Sequence, residues 1–112
     1  MSKVFYDKPI INQIFEEFRK EKDDCDIEKL AILVAILPEE DVNVQDYYGW
    51  TVLIYASRYG YTEIVKLLLE KEGIDVNVQD NEGWTALNYV PIDSYTGIVK
   101  LLKDYKKKLI YN

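Results

Sequence analysis

Hydrolytic and group-transfer chemistry draws on a nucleophile beside a base, paired carboxylates in a cleft, a cluster of metal ligands or a glycine-rich phosphate cradle. This sequence is poor in all of them. It contains no histidine and one cysteine, Cys25, which removes His-based triads and Cys/His zinc patterns, and its five glycines are scattered rather than gathered into a phosphate loop. Cys25 lies between Asp24 and Asp26, and neighbouring negative charge discourages a reactive thiolate, so it reads as inert. The acidic run Glu39, Glu40, Asp41 precedes a turn and reads as a solvated face rather than a catalytic pair. No catalytic residue, metal site or cofactor is assigned, and the chain is read as a non-enzyme.

Charge and hydropathy narrow the alternatives. A formal net charge of −6 opposes attraction to phosphate backbones, so nucleic acid is not an expected partner. Lys103, Lys106, Lys107 and Lys108 are a local exception. They could meet acidic protein or lipid, but the simpler reading is that they complement a helix C-terminus and keep an exposed face solvated. The longest apolar stretch, residues 30–37, is far below the roughly 18 residues a membrane-spanning helix needs, so no membrane insertion is expected. Without a secretory or transit signal, a disulfide partner for Cys25 or an Asn-x-Ser/Thr site, the expected location is intracellular and cytoplasmic.

The informative pattern is internal repetition. Residues 41–46 read Asp-Val-Asn-Val-Gln-Asp and residues 75–80 read the same, 34 positions later; each is followed by Gly-Trp-Thr and then Ile-Val-Lys-Leu-Leu. An earlier, degenerate copy is suggested by Asp26 to Leu30 and the apolar run to Leu37. Repetition at such a spacing means one supersecondary unit stacked on itself about three times, because a single unit cannot bury its apolar face alone.

In the central copy, Asp46 to Gly49 is a turn candidate, since glycine tolerates a positive φ and an Asp side chain can bond the backbone ahead of it. Thr51 offers a helix N-cap, Leu53, Ala56 and Ser57 recur at helical spacing, and Gly60 ends the segment. Thr62 is a second N-cap candidate ahead of Ile64, Val65, Leu67, Leu68 and Leu69, a face apolar enough to be mostly buried. Upstream, Pro9 suits a helix start, and Ile10, Ile11, Ile14, Phe15 and Phe18 form an apolar stripe opposite Gln13, Glu16, Glu17, Arg19 and Lys20.

These phrases resemble the ankyrin repeat, whose pattern runs Asp-x-x-Gly-x-Thr-Pro-Leu-His-x-Ala, then Gly-His-x-Glu-Ile-Val, then Asp-Val-Asn. The match is strong over residues 41–80, looser over 81–105, and rests mainly on position over 8–40; about 100 residues are covered. The resemblance implies an all-α solenoid of about three helix-turn-helix repeats with projecting β-turn loops, in one domain. Residues 1–40 are expected to be an N-terminal cap or degenerate repeat, 41–74 the central repeat, and 75–112 a capping repeat with a basic tail. The departures are informative. The family's Pro is Val52 and Ala86 here, its first His is Ile54 and Asn88, and Gly-His becomes Gly60-Tyr61 and Ser94-Tyr95. Pro91 should stop or kink the third unit's first helix, and Lys103, in place of Leu69, reads as the polar outer face of an end cap.

Ankyrin-like proteins bind partners through loop tips and the exposed face of their short first helices. Carried onto this chain, those positions are Gln45, Tyr47, Tyr48, Trp50, Arg58 and Tyr59, then Gln79, Asn81, Glu82 and Trp84, with Ile92 and Asp93 displaced by Pro91. The central set is rich in Tyr, Trp and Arg, the composition of binding hot spots. The expected function is therefore non-catalytic binding of a protein partner through an aromatic surface. For the tryptophans the alternative is that they pack against each other and against Tyr55 or Tyr89; for the function it is that the aromatic surface serves self-association as a homodimer, or that the domain is purely structural. Leu69 followed by Asp75-Val76-Asn77 also resembles the context in which ankyrin asparagines are hydroxylated in animal cells. The competing expectation is that Asn43 and Asn77 hold their loops by side-chain hydrogen bonds.

Overall fold

Pro9 occupies the first turn of helix α1 (Pro9–Phe18), where its missing N–H costs nothing, and Ile11, Ile14, Phe15 and Phe18 of the expected stripe are all buried. The computed structural model describes residues 7–92 and 95–111. Helix α2 (Ile27–Ile36) is capped by Asp26, whose carboxylate accepts the Lys29 N–H at 3.0 Å. Helix α3 (Val52–Arg58) starts at Thr51, whose hydroxyl accepts the Ile54 N–H at 3.2 Å, and helix α4 spans Thr62–Leu69. Helix α5 covers Tyr95–Tyr111. There is no strand among the described residues.

The helices stack in two rows. α1, α3 and a 3-10 turn at Ala86–Tyr89 form one, and α2, α4 and α5 the other, with α1 on α2 and α3 on α4 joining them. Six of the seven residues of α3 are buried, against three of eight in α4. Since burying a large apolar side chain is worth roughly 1.5–3 kcal/mol, α3 is the centre of the core. The loops at 41–50 and 75–84 project from the α1/α3 row and bond to each other. Asn43 donates to the Gly73 carbonyl at 2.7 Å and accepts the Asp75 N–H at 2.9 Å, while Gln45 donates to the Gln79 carbonyl at 2.9 Å. Lys71 does the same behind them, donating to the carbonyls of Ala35 and Leu37 at 2.9 Å each and so closing the orphaned end of α2.

Two local expectations need correction, and a third, the early stop in the third unit, holds. Glu17, placed on the solvent side of α1 by its spacing, is 1% exposed: it accepts the Asp26 N–H at 2.9 Å and pairs with Lys20 at 3.0 Å and Lys29 at 3.4 Å, pinning the α1–α2 connection. Burial alone would raise its carboxyl, but these donors outweigh it and hold it below the ordinary range. Thr62 does not cap α4; it lies inside the first turn, because the Tyr61 N–H reaches back to Ala56 and puts Tyr61 at the boundary. In the third unit, the residues that match α3 form only the 3-10 turn, closed by the Thr85 N–H donating to Asn88 Oδ1 at 2.8 Å. Pro91 explains the stop, since it forces Val90 into an extended conformation.

One core position is frustrated. The Ser57 hydroxyl is fully buried in α3 with no hydrogen-bond partner. Ser57→Ala is expected to raise stability by about 1 kcal/mol, removing an unsatisfied polar group and improving helix propensity together. A thermal melt showing no gain would mean that the hydroxyl is satisfied after all.

Candidate functional site

Each projecting loop is built around one aspartate. Asp46 Oδ1 accepts the N–H groups of Tyr48 and Trp50, both at 3.0 Å, its other oxygen accepts the Tyr55 hydroxyl, and Gly49 completes the turn at φ 80°. The construction repeats 34 residues on. Asp80 accepts the N–H groups of Glu82 and Trp84, both at 2.9 Å, and the Tyr89 hydroxyl. It also accepts the indole N–H of Trp50 at 3.1 Å, tying the first loop's tryptophan to the second loop. The loops are thus rigid mounts for whatever side chains they leave outside.

Behind the 46–50 loop, where α1 ends against α3, lies a hollow of about 290 Å³ lined by Phe18, Arg19, Tyr48, Trp50, Tyr55 and Tyr59. A second hollow of about 300 Å³ adjoins it, sharing Phe18, Arg19 and Tyr59 and adding Lys20, Glu21, Cys25 and Tyr61. The floor is stacked aromatics. Phe18 lies nearly parallel to Tyr55 at 5.0 Å, with Tyr59 at 6.0 Å and Tyr61 at 6.2 Å, and Trp50 meets Tyr55 edge-on at 4.9 Å. The Arg58 guanidinium sits over the Trp50 ring at 5.1 Å and near Tyr89 at 5.7 Å. A concave site of this size, largely aromatic with a few polar groups at its rim, suits a side chain or short peptide segment.

The sequence matches the family model for ankyrin repeats, in three copies, over residues 21–111. The chain belongs to the ankyrin-repeat family. Over 45 residues, 40% of this chain, it is 49% identical to a mouse (Mus musculus) protein named SMC5-SMC6 complex localization factor protein 1; the match covers 4% of that protein's length. Ankyrin repeats generally mediate protein–protein interaction and are typically non-catalytic. Among the described residues no helix is long and apolar enough to cross a membrane, and no group of three or more His, Cys, Asp or Glu is placed to hold a metal ion.

On this ankyrin stack the expected surface residues separate into four groups. Tyr47 and Tyr48 stand out at the loop tip, 59% and 54% exposed, edge to face at 5.6 Å. Tyr48, Trp50 and Tyr59 line the hollow, with Arg58 beside them. Gln45 and Asn81 are framework: Gln45 donates to two backbone carbonyls, and Asn81 bonds the Tyr47 and Tyr48 carbonyls at 3.0 and 3.1 Å. Gln79 and Glu82 are on the second loop, away from the hollow lining, and both are exposed. The two tryptophans do not pack on each other; both meet Tyr89 at 5.2 Å, Trp50 half-buried beneath Arg58 and Trp84 50% exposed. Ile92 is flanked by the chain's undescribed stretch, and Asp93 lies outside the described residues. Asn43 holds its loop as expected, whereas Asn77 bonds through its backbone N–H to Asp75 and exposes its side chain.

Four residues of the site are not marked for binding by the repeat pattern: Phe18, Arg19, Tyr55 and Tyr61. Tyr55 carries a signal, since its nine-residue spacing from Asp46 recurs between Asp80 and Tyr89. Burial, reinforced by the Asp46 bond, pushes the Tyr55 phenol far up, so it stays a donor. The Tyr61 phenol is pushed up to about 12, chiefly by burial and then by its bond with Cys25. Burial likewise raises the Cys25 thiol, which keeps it protonated at neutral pH.

Proposed function

We propose that this ankyrin-repeat domain is a non-catalytic module that binds a protein partner through the aromatic surface around its first projecting loop, centred on Tyr47, Tyr48, Trp50, Arg58 and Tyr59. The observation that carries this reading is the exposure of two adjacent tyrosines on a loop whose turn is already bonded internally. Their side chains do no framework work, and rigid exposed aromatics supply contact area at little entropic cost. Gln79, Glu82 and Trp84 would extend the footprint as a rim. Residues 7–40 then serve as a first, degenerate unit that closes the core. A cytoplasmic setting goes with this reading, since the single cysteine has no disulfide partner in the chain. The mouse relative's name, a localization factor for a protein complex, fits a tethering role.

The test is affinity capture by the wild type and by a Tyr47→Ala, Tyr48→Ala variant. Neither side chain is buried, so circular dichroism should be unchanged, while capture of the partner should fall about tenfold or more. Equal capture by both forms would remove this surface as the site. Sedimentation showing a dimer that the variant abolishes would instead make it a self-association surface.

A further inference from the structure

The chain contains two arginines, Arg19 and Arg58, in a protein of net charge −6. Arg19 lines the aromatic hollow from the end of α1, and Arg58, at the end of α3, stacks on Trp50, one of the hollow's walls. Both are exposed, and among the described residues neither guanidinium forms an ion pair or donates a hydrogen bond; their contacts are with the rings of Phe15, Trp50 and Tyr89. Six of the lysines behave differently, while Lys103, Lys106, Lys107 and Lys108 lie on α5, outside the hollow lining. Lys8, Lys20, Lys29, Lys66 and Lys100 are each paired with a carboxylate, and Lys71 with backbone carbonyls. Two carboxylates bonded to the hollow's lining residues, Asp46 to Tyr55 and Asp80 to Trp50, are buried and occupied by three and four donors. Glu21 lines the adjoining hollow, which shares Arg19 but not Trp50 or Tyr55.

We infer that this hollow receives an extended acidic segment of the protein partner, with an apolar side chain on the Phe18, Tyr55 and Tyr59 floor and an Asp or Glu carboxylate between Arg19 and Arg58. This rests on the protein-binding reading above and deepens it. Charge complementarity selects the occupant: stacked guanidiniums with unused N–H groups match carboxylates in geometry, and an occupant seated on the aromatic floor would displace water and strengthen that pairing. A basic or neutral segment would leave both cations unanswered.

The probe is a fluorescein-labelled ten-residue peptide of alternating Glu and Leu, with Gln-Leu and phosphoserine-Leu counterparts. Because there are two arginines, a ¹⁵N spectrum carries two guanidinium Nε–H signals, and the Glu-Leu peptide should shift both. Arg19→Gln and Arg58→Gln should each weaken its binding about tenfold, the loss of one charge-assisted pair, while Arg19→Lys and Arg58→Lys should recover part of it. Lys66→Gln, which removes a cation outside the hollow lining, should have no effect. Overturning results are equal binding of the Gln-Leu peptide, tighter binding of the phosphoserine peptide, an equal loss in Lys66→Gln, or unmoved arginine signals. If these occur while Tyr47 and Tyr48 remain necessary for partner capture, the acidic-segment inference fails and the protein-binding reading stands.

Discussion

Asp80→Ala is expected to lower stability by about 3 kcal/mol, seen as a fall in thermal midpoint of about 10 °C or more. One carboxylate accepts from the Glu82 and Trp84 N–H groups, the Tyr89 hydroxyl and the Trp50 indole. Truncation leaves the half-buried Tyr89 and Trp50 donors without a partner, a penalty of about 1–3 kcal/mol each, whereas the two turn N–H groups belong to exposed residues and can turn to water. The sign of the acid response follows. Burial pushes the Asp80 carboxyl up, but the Tyr89 hydroxyl and the other donors outweigh it, so its folded value lies below the ordinary one. A depressed carboxylate contributes stability above its unfolded value, and that contribution is lost as pH falls through the folded value. Wild type should therefore lose stability below about pH 4, with Glu17 acting in the same direction, and Asp80→Ala should lose less over that window. A variant as stable as wild type, or an unchanged acid slope, would show that the loops do not depend on this carboxylate.

Gly49→Ala is expected to cost about 2–5 kcal/mol, clearly more than Gly83→Ala, by adding overpacking to backbone strain. Both glycines sit at positive φ, 80° and 82°, so alanine incurs roughly 1–2 kcal/mol of backbone strain at either. The difference lies in what surrounds them. A Cβ on Gly49 would stand 2.7 Å from the Asn81 backbone nitrogen and 3.0 Å from the Asp80 Cα, while a Cβ on Gly83 meets nothing within 4 Å. The first loop is pressed against the second, and backbone cannot swing aside as a side chain can; overpacking adds about 1–3 kcal/mol. Denaturant melts of the two variants decide it, and equal losses would mean that the loops part easily.

Much of this structure was readable from residue identities. The 34-residue echo exposed the stack, and Asp-x-x-Gly-x-Thr spelled the turn and the α3 cap, because both depend on neighbours in sequence. What escaped depends on neighbours in space. Glu17 follows the polar periodicity of α1, and only the approach of the α2 N-terminus turns it inward. Trp50 and Trp84 sit in the same local phrase, yet one is half-buried because a further loop with its own aspartate lies against it. The role of Phe18 and Arg19 arises where α1 crosses onto α3, a junction with no repeat to announce it. Thr62 and Tyr61 differ by a single step at a boundary, the place where local pattern is least decisive.

The cross-bonds between loops also govern how this molecule comes apart. Those from Asn43, Gln45, Trp50 and Lys71 each join one unit to the next, and the helices pack in the same order, α1 to α3 to the 3-10 turn and α2 to α4 to α5. In such a chain of neighbours an outer unit can peel away while the bonds beyond it hold, but the middle one cannot open without releasing both sides. The aromatic hollow lies at one of these seams, bordered by α1 and α3. An occupant there would act as a clasp, holding closed a seam that must part before the first unit can peel away.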